Sequence, residues 1–330
     1  MTATQIPAER ARAEALRGHL AMLGFSAAAS GSFSLGAMVA NDIHPGALTA
    51  LRFLLAAVVL AALVMVLPGA GRGGRRGFAR ADFAGAWRYG LLALLFGGYF
   101  VLMFEGLKTA DPVSTGAMFT LLPLMAAAIA WPMLGQRLRP GVAAVLALGA
   151  VGAVWVIFRG DPQALFAFDL GRGEAIYGLG CVLHAVYTPL LRRVNRGESA
   201  LVTAALMSAA GFVLLALIYW QALAAIDWAG LPALVWVAIL YLALIATAFT
   251  ATAMQFAAQR LPASKVSAYT YATPAWVILW EALLGHGVPG LAVLPGVALV
   301  ILALLLLLRR DEGAPARTRA ARHGDHAHIP

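Results

Sequence analysis

The sequence predicts an all-α integral membrane protein with ten transmembrane helices in two inverted five-helix repeats. Of the 330 residues 62% are hydrophobic, the mean hydropathy is +0.82, and only 12% are charged. A soluble domain carries about 25% charged residues. Apolar stretches long enough to span a bilayer, about 20 residues each, follow one another along the chain. A β-barrel would need alternating segments of about ten residues instead, so a helical bundle is expected.

The apolar stretches number ten, and their linkers are too short for a soluble domain. They lie near residues 18–40, 45–67, 89–107, 112–134, 140–158, 173–191, 200–220, 232–257, 264–284 and 290–308. A unit of five helices crosses the membrane an odd number of times, so its second copy must have the opposite orientation. We therefore expect repeats at 18–158 and 173–308, a cytoplasmic segment at 1–17 and a disordered cytoplasmic tail at 309–330. Inverted repeats place the substrate site between them near the bilayer midplane.

The basic residues are unevenly distributed between the two sides of the predicted bundle. Of the 24 Lys and Arg residues, 20 lie before span 1 or after spans 2, 4, 6, 8 and 10, whereas Lys108, Arg159 and Arg172 lie on the other side and Arg52 lies within span 2. The positive-inside rule then places both termini in the cytoplasm. The net charge of +9 is therefore interpreted as a topology signal, with the lipid bilayer as partner and no nucleic acid. Cys181 is the single cysteine, so no intrachain disulfide can form.

Landmarks recur in the two halves at nearly constant offsets. The pairs are Arg17 and Arg172, Pro123 and Pro274, and Pro140 and Pro289, at offsets of 155, 151 and 149 residues. Pro123 and Pro274 lie in the middle of spans 4 and 9. Proline lacks an N–H and kinks a helix, and the freed carbonyls are tolerated in lipid only against protein or a wet cavity. Both spans should thus face the interior, with the prolines as bending points for gating or as static packing kinks.

Three charged residues fall inside predicted spans at similar depth, near the outer face. They are Arg52, Glu105 and Glu281. Such residues are costly against lipid and usually face a cavity or a partner. One hypothesis is that Arg52 pairs with Glu105 or Glu281 and helps to close an outer gate. The alternative is that each side chain snorkels to the outer headgroups.

Polar and aromatic residues at helical spacing form candidate substrate-binding stripes. Tyr177, Cys181, His184 and Thr188 share one face of span 6. The candidate substrate-binding residues are His184, Tyr99, Tyr269, Thr273, Trp276, Trp280, Thr115, Thr188 and Ser30. His184 could bind a substrate carboxylate or be a satisfied packing residue, and serines such as Ser30 often serve close helix packing. An aromatic, hydroxyl-rich site with few charges suits a neutral or zwitterionic solute better than a phosphate dianion.

The chain resembles the EamA family of the drug/metabolite transporter superfamily. The resemblance rests on the ten-span plan, the proline within span 4, the motif Leu51-Arg52-Phe53, and the exit of span 4 at 134–138. Gln136 stands where the family often has Glu, and the second half has His286 there. The resemblance implies alternating access in the bacterial inner membrane and, more specifically, export of aromatic and other neutral amino acids. A monomer or weak homodimer is expected.

Several alternatives remain open at this stage. Lipophilic drugs or nucleobases would fit aromatic stripes nearly as well as amino acids. An intramembrane enzyme using His184 with Ser30, or a membrane scaffold without a polar cavity, would be proteins of other classes. The sequence has no P-loop, no nucleophile elbow and no metal-ligand spacing, so no cofactor or metal is expected. Facilitated flow needs no coupling residue, whereas proton coupling would have to use Glu105 or Glu281.

Overall fold

The computed structural model describes residues 5–309, without the side chains of residues 5–11, 263 and 264. The predicted tail beyond Arg309 and the first four residues lie outside this range. Within the described residues every regular element is helical. Ten principal helices correspond to the ten predicted spans, although α1 begins at Gln5, well before the predicted start near residue 18. They are α1 (Gln5–Val39), α2 (Pro45–Val66), α3 (Trp87–Gly106), α4 (Pro112–Phe119 and Leu122–Leu134), α5 (Pro140–Ile157), α6 (Arg172–Val194), α7 (Ala200–Ile218), α8 (233–258), α9 (263–283) and α10 (Leu294–Arg309).

Nine helices in the described part of the chain are long and apolar enough to cross a membrane. Only α9 falls outside this set. It is divided into a helical segment at Ala263–Ala268, a 3₁₀ turn at Tyr269–Ala272 and a second helical segment at Thr273–Leu283. The first segment also carries the charged residue Lys265. It occupies the position of the ninth predicted span.

Local sequence signals set where the helices begin and end. The Asp111 carboxylate accepts hydrogen bonds from the N–H groups of Val113 and Ser114 at 2.7 and 3.0 Å, and Pro112 follows in the first turn of α4. The Ser199 hydroxyl likewise accepts from the N–H of Val202 at the start of α7. Gly135 ends α4 with φ at +67°, a left-handed conformation that glycine adopts without steric cost.

Both mid-helix prolines follow a break in their helix. In α4 the N–H groups of Thr120 and Leu121 bond three residues back instead of four, and Pro123 opens the second segment. In α9 the 3₁₀ turn ends at Ala272, and Pro274 opens the last segment. Because proline cannot donate to the carbonyl four residues earlier, the regular helix stops there. The expected irregularity therefore occurs at equivalent places in the two halves.

Helices from the first five and the last five pack closely against each other. A Cβ atom on Gly152 of α5 would lie 2.6 Å from the carbonyl oxygen of Gly296 in α10. A Cβ on Gly106 of α3 would lie equally close to the carbonyl of Gly173 in α6. Such backbone approaches are typical of small residues at membrane helix crossings. The two sets of five helices are thus interleaved.

The buried core differs between the two ends of the bundle. We call the end with both described chain termini the terminal face, and the other end the opposite face. Toward the opposite face one continuous cluster joins residues from all ten helices or the turns beside them, from Phe33 of α1 to Val293 beside α10. Toward the terminal face the core divides into four smaller clusters, centred on Tyr271, Leu60, Met22 and Leu92. In the second segment of α4, only Leu122 is buried. Packing is therefore tight at the opposite face and divided at the terminal face.

Candidate functional site

His184 lies at the centre of a group of aromatic rings contributed by α3, α4 and α6, which we call the His184 cluster. Its ring centroid is 4.8 Å from that of Tyr99, 5.5 Å from Tyr187, 5.6 Å from Phe96 and 6.1 Å from Phe119. The Nδ1 atom of His184 is buried and has no hydrogen-bond partner. A buried polar atom without a partner costs free energy, so this atom is a candidate for contact with a bound solute.

The polar face predicted on α6 is only partly turned to this cluster. The hydroxyl groups of Tyr99 and Tyr177 are 3.2 Å apart, with both side chains buried. The Thr188 hydroxyl donates to the carbonyl of His184 in its own helix at 3.1 Å. Tyr177, which the sequence interpretation named only as part of the stripe, is therefore a direct partner of Tyr99, whereas the hydroxyl of Thr188 serves its helix.

A second group of predicted residues lines α1 and does not join the His184 cluster. Trp276 Nε1 donates to Ser26 Oγ, and Trp280 Nε1 donates to the carbonyl of Ala27, both at 3.0 Å. The Tyr269 hydroxyl lies 2.9 Å from Nδ1 of His19. The Ser30 hydroxyl donates to the carbonyl of Ser26 at 2.6 Å. In this conformation Tyr269, Trp276 and Trp280 hold α9 to α1, whereas the Ser30 hydroxyl bonds within α1.

Thr115 and Thr273 lie where α4 crosses α9. A Cβ on Gly116 would lie 2.9 Å from Val277 Cγ2 and 3.7 Å from Thr273 Cγ2, so the absence of a side chain at Gly116 permits this crossing. The Thr115 hydroxyl donates to the carbonyls of Pro112 and Asp111 at 2.9 and 3.1 Å. The crossing lies on the opposite-face side of both helix breaks. The two halves of the protein thus meet beside their paired prolines.

The expected ion pair between Arg52 and an acid is not formed in this structure. Glu105 pairs with Lys108 at 2.8 Å and Glu281 with His286 at 2.9 Å. Both partners follow their acids by three to five residues, so each pair closes locally at the end of its own helix. Arg52 is buried and turns to α8 instead.

Helix α8 contains a π-helical segment, Tyr241–Phe249, which receives Arg52. Arg52 Nε donates to Thr247 Oγ1 at 2.8 Å and Nη2 donates to the carbonyl of Ala246 at 3.2 Å. The guanidinium carbon lies 3.7 Å from the ring centroid of Phe100. Segments of π-helix are rare and are frequent at functional sites. The sequence interpretation missed this feature, and no local signal in the apolar run of α8 marks it.

A buried ionic network at the terminal face was also missed. Arg88 of α3 and Arg72 reach Glu198 at 3.0 and 3.5 Å, and Arg72 reaches Asp82 at 3.4 Å. Asp82, Arg88 and Glu198 are all buried. The signal was available, because Asp82 and Glu198 are the only acids in two arginine-rich loops that follow α2 and α6. The network joins the loop before α3 to the loop before α7.

The environment of Glu198 favours its charged form. Burial by itself raises the pKa of this carboxyl, but hydrogen bonds from Arg88 and from backbone N–H groups, with the positive charge of Arg88, lower the pKa by more than burial raises it. The net result is a pKa below the ordinary glutamate value. The carboxylate is therefore ionised at neutral pH and complements Arg88.

An apolar helical bundle with a discontinuous helix in each half, and with polar groups enclosed between the helices, is the architecture expected of a multi-pass membrane transporter. Residues 16–158 and 172–309 each match the EamA-like transporter family. The chain therefore belongs to the EamA-like transporter family. The two matches also confirm the predicted fold class of ten helices in two five-helix repeats.

Two known proteins are similar over most of the chain. The uncharacterized transporter YyaM of Bacillus subtilis (strain 168) is 24% identical over 287 residues, which cover 87% of this chain and 92% of YyaM. A protein known from its crystal structure is 23% identical, with a TM-score of 0.61 over 90% of this chain and 99% of that one. The second likeness concerns the fold alone. Family and relative together make the protein a transporter and not an enzyme, so the alternative of catalysis by His184 and Ser30 is wrong.

Proposed function

We propose that this transporter exports small neutral or zwitterionic metabolites, in particular aromatic and other neutral amino acids, through a central site between its two repeats. The observation that carries the proposal is His184, whose Nδ1 has no hydrogen-bond partner and whose ring lies among those of Tyr99, Phe96, Phe119 and Tyr187. Aromatic rings favour stacked or edge-to-face contact with a further ring. One unpartnered polar atom beside several aromatic rings suits a solute that combines a polar group with an apolar side chain.

Alternating access is supported by the difference between the two ends of the bundle. The continuous core at the opposite face and the divided core at the terminal face favour a conformer closed to the opposite side. The segment of α4 after Pro123 is the least buried part of that helix, so it has room to bend. We propose that Pro123 and Pro274 are the bending points. Glu105 pairs with Lys108 and Glu281 pairs with His286, and both local ion pairs are compatible with a role of these acids at the closed outer end.

We further propose that the protein lies in a bacterial inner membrane with both termini in the cytoplasm. The support is the distribution of basic residues between alternate loops. The terminal face is then cytoplasmic, and the present conformer would be open toward the side from which an exporter loads. Facilitated transport without proton coupling is the simplest mechanism, since the two acids near the outer end are paired locally.

The proposal is tested with the purified full chain in liposomes. Uptake of labelled phenylalanine, leucine, a nucleobase and a lipophilic cation is measured with and without a pH gradient. Saturable, competable uptake of phenylalanine is expected, and His184→Phe should reduce it by about ten-fold or more, since it removes the polar atom but keeps a ring. His44→Asn is the matched control, because His44 caps α2 through Nδ1 and asparagine also caps helices well.

Three outcomes would contradict parts of the proposal. Absence of saturable uptake of every neutral amino acid would overturn the substrate class, and uptake of only the nucleobase or the cation would favour that cargo. Equal rates for His184→Phe and the parent would remove His184 from the site. A rate that follows the pH gradient would replace facilitated flow by proton coupling.

A further inference from the structure

We propose that Arg52 is a carboxylate-binding residue, and that the solute places its carboxylate on the free Nη1 of this guanidinium while its apolar side chain lies among the neighbouring rings. The inference deepens the proposed function, on which it rests, by naming the charged group that the site recognises.

The first reason is that Arg52 is a buried charge without a counter-charge. Its side chain is 1% exposed, and none of the carboxylates described in residues 12–309 lies within ion-pair distance of it. Buried ions are normally paired, because desolvation is otherwise uncompensated. Arg88, equally buried at 2%, follows that rule through Glu198 at 3.0 Å. The absent partner of Arg52 is therefore expected to come from outside the chain.

The second reason is the way in which the guanidinium is held. Nε donates a hydrogen bond to Thr247 and Nη2 donates one to the carbonyl of Ala246, and the ring of Phe100 packs on one face of the guanidinium. Nη1 is buried and has no hydrogen-bond partner. In α8 the N–H of Thr250 donates to the carbonyl of Ile245, five residues back, as in a π-helix. The carbonyl of Ala246, which an α-helix would pair with that N–H, instead accepts hydrogen bonds from Arg52 and from the Thr250 hydroxyl. A guanidinium fixed on two sides with a free edge is preorganised for an oxygen anion.

The third reason is that Arg52 and His184 belong to one chain of aromatic contacts. Phe100, which stacks on the guanidinium, is 4.8 Å from Phe96, and Phe96 is 5.6 Å from His184. Phe96 and His184 are both partly exposed in this conformer. A molecule with one carboxylate and one apolar side chain can therefore place the carboxylate against Arg52 and the side chain against the aromatic rings. A dianion would leave one charge without a partner, since no second cation accompanies Arg52 among these contacts.

The test compares matched acids and amides as ligands of the purified full chain. Equilibrium binding is measured for phenylalanine against phenylalanine amide, and for 3-phenylpropionate against 3-phenylpropionamide. The wild type should bind each acid about 100-fold more tightly than its amide. Arg52→Gln should bring each ratio close to one, and Arg52→Lys should lower it by about ten-fold because a point charge lacks the planar fork. Arg88→Gln, at the other buried arginine, should leave the ratios unchanged.

Three further outcomes would overturn the inference, and a fourth would separate it from amino-acid export. Wild-type ratios near one would do so without any variant. Arg52→Gln that weakens acid and amide by the same factor would assign Arg52 a purely structural role in holding α8. If Arg52→Gln does not fold, an unchanged ratio in Arg52→Lys decides against the inference. The second ligand pair lacks the amino group, so Arg52-dependent binding of 3-phenylpropionate without binding of phenylalanine would sustain the inference while contradicting amino-acid export.

Discussion

Arg88 of α3 donates to Glu198, in the loop before α7, across 3.0 Å with both side chains buried. The contact joins a helix of the first repeat to a loop of the second. Glu198→Gln should lower the free energy of unfolding by about 3 kcal/mol, because it leaves Arg88 buried without its counter-charge. Thermal unfolding in detergent measures this, with exposed Asp169→Asn as the control. Additive losses in Glu198→Gln, Arg88→Met and the double variant would contradict direct coupling.

The same pair predicts how stability depends on pH. The pKa of Glu198 is lowered in the folded protein, because the hydrogen bonds to its carboxylate outweigh the effect of burial, which alone would raise it. A lowered folded pKa contributes stability that is complete above the ordinary value of about 4.3 and is lost as the pH falls through the folded pKa. The difference in unfolding midpoint between wild type and Glu198→Gln should therefore be constant from pH 7 to about 5 and shrink below that. A difference that grows in acid would contradict the assignment.

The crossing of α5 and α10 leaves no space for side chains at Gly152 and Gly296. Gly152→Ala places a Cβ 2.6 Å from the carbonyl oxygen of Gly296, a backbone atom that cannot rotate away. We expect a loss of about 1–3 kcal/mol of stability, measured by thermal unfolding. Gly290→Ala is the matched control, because its Cβ would have no neighbour within 4 Å. Equal effects of the two substitutions would show that the crossing is looser than described.

The break in α4 should control turnover more than binding. Pro123→Ala restores an N–H that can bond the carbonyl of Phe119, which favours a continuous helix. If bending at this point limits transport, the rate should fall by on the order of ten-fold while equilibrium binding of the substrate changes little. Pro132→Ala, in the exposed part of the same helix, is the control. An equal loss of binding and rate would favour a static packing kink.

The indole groups of α9 should contribute to holding α1. Trp280→Phe removes the hydrogen bond from Nε1 to the carbonyl of Ala27 and keeps most of the apolar contact. The expected loss is about 1 kcal/mol. Trp228→Phe, in the loop before α8, is the control. If Trp280 contacts substrate rather than α1, the variant will instead change substrate affinity with stability unaltered.

Much of the architecture could be predicted because membrane helices have a strong local signal. An apolar stretch of about 20 residues has few alternatives in a bilayer, so the limits of α2, α3 and α5 agree with the structure to within about two residues. The breaks beside Pro123 and Pro274 were also predictable, since the missing N–H is a property of the residue itself. The register of α8 was not, because its π-helical segment is supported by Thr247 and by Arg52 from another helix.

For the candidate site, too, local features could be predicted from the sequence, whereas contacts between helices could not. The sequence by itself predicted that His184 and Tyr99 are polar groups near the middle of their spans, because helix periodicity and hydropathy are local. Only the tertiary structure decided which of the candidates meet: His184 meets Tyr99, whereas Trp276 and Trp280 bond α1. It also decided that Arg52 has no acidic partner in the described chain. Helix rotation and crossing determine these pairings, and they depend on contacts between residues far apart in sequence, such as Gly152 and Gly296.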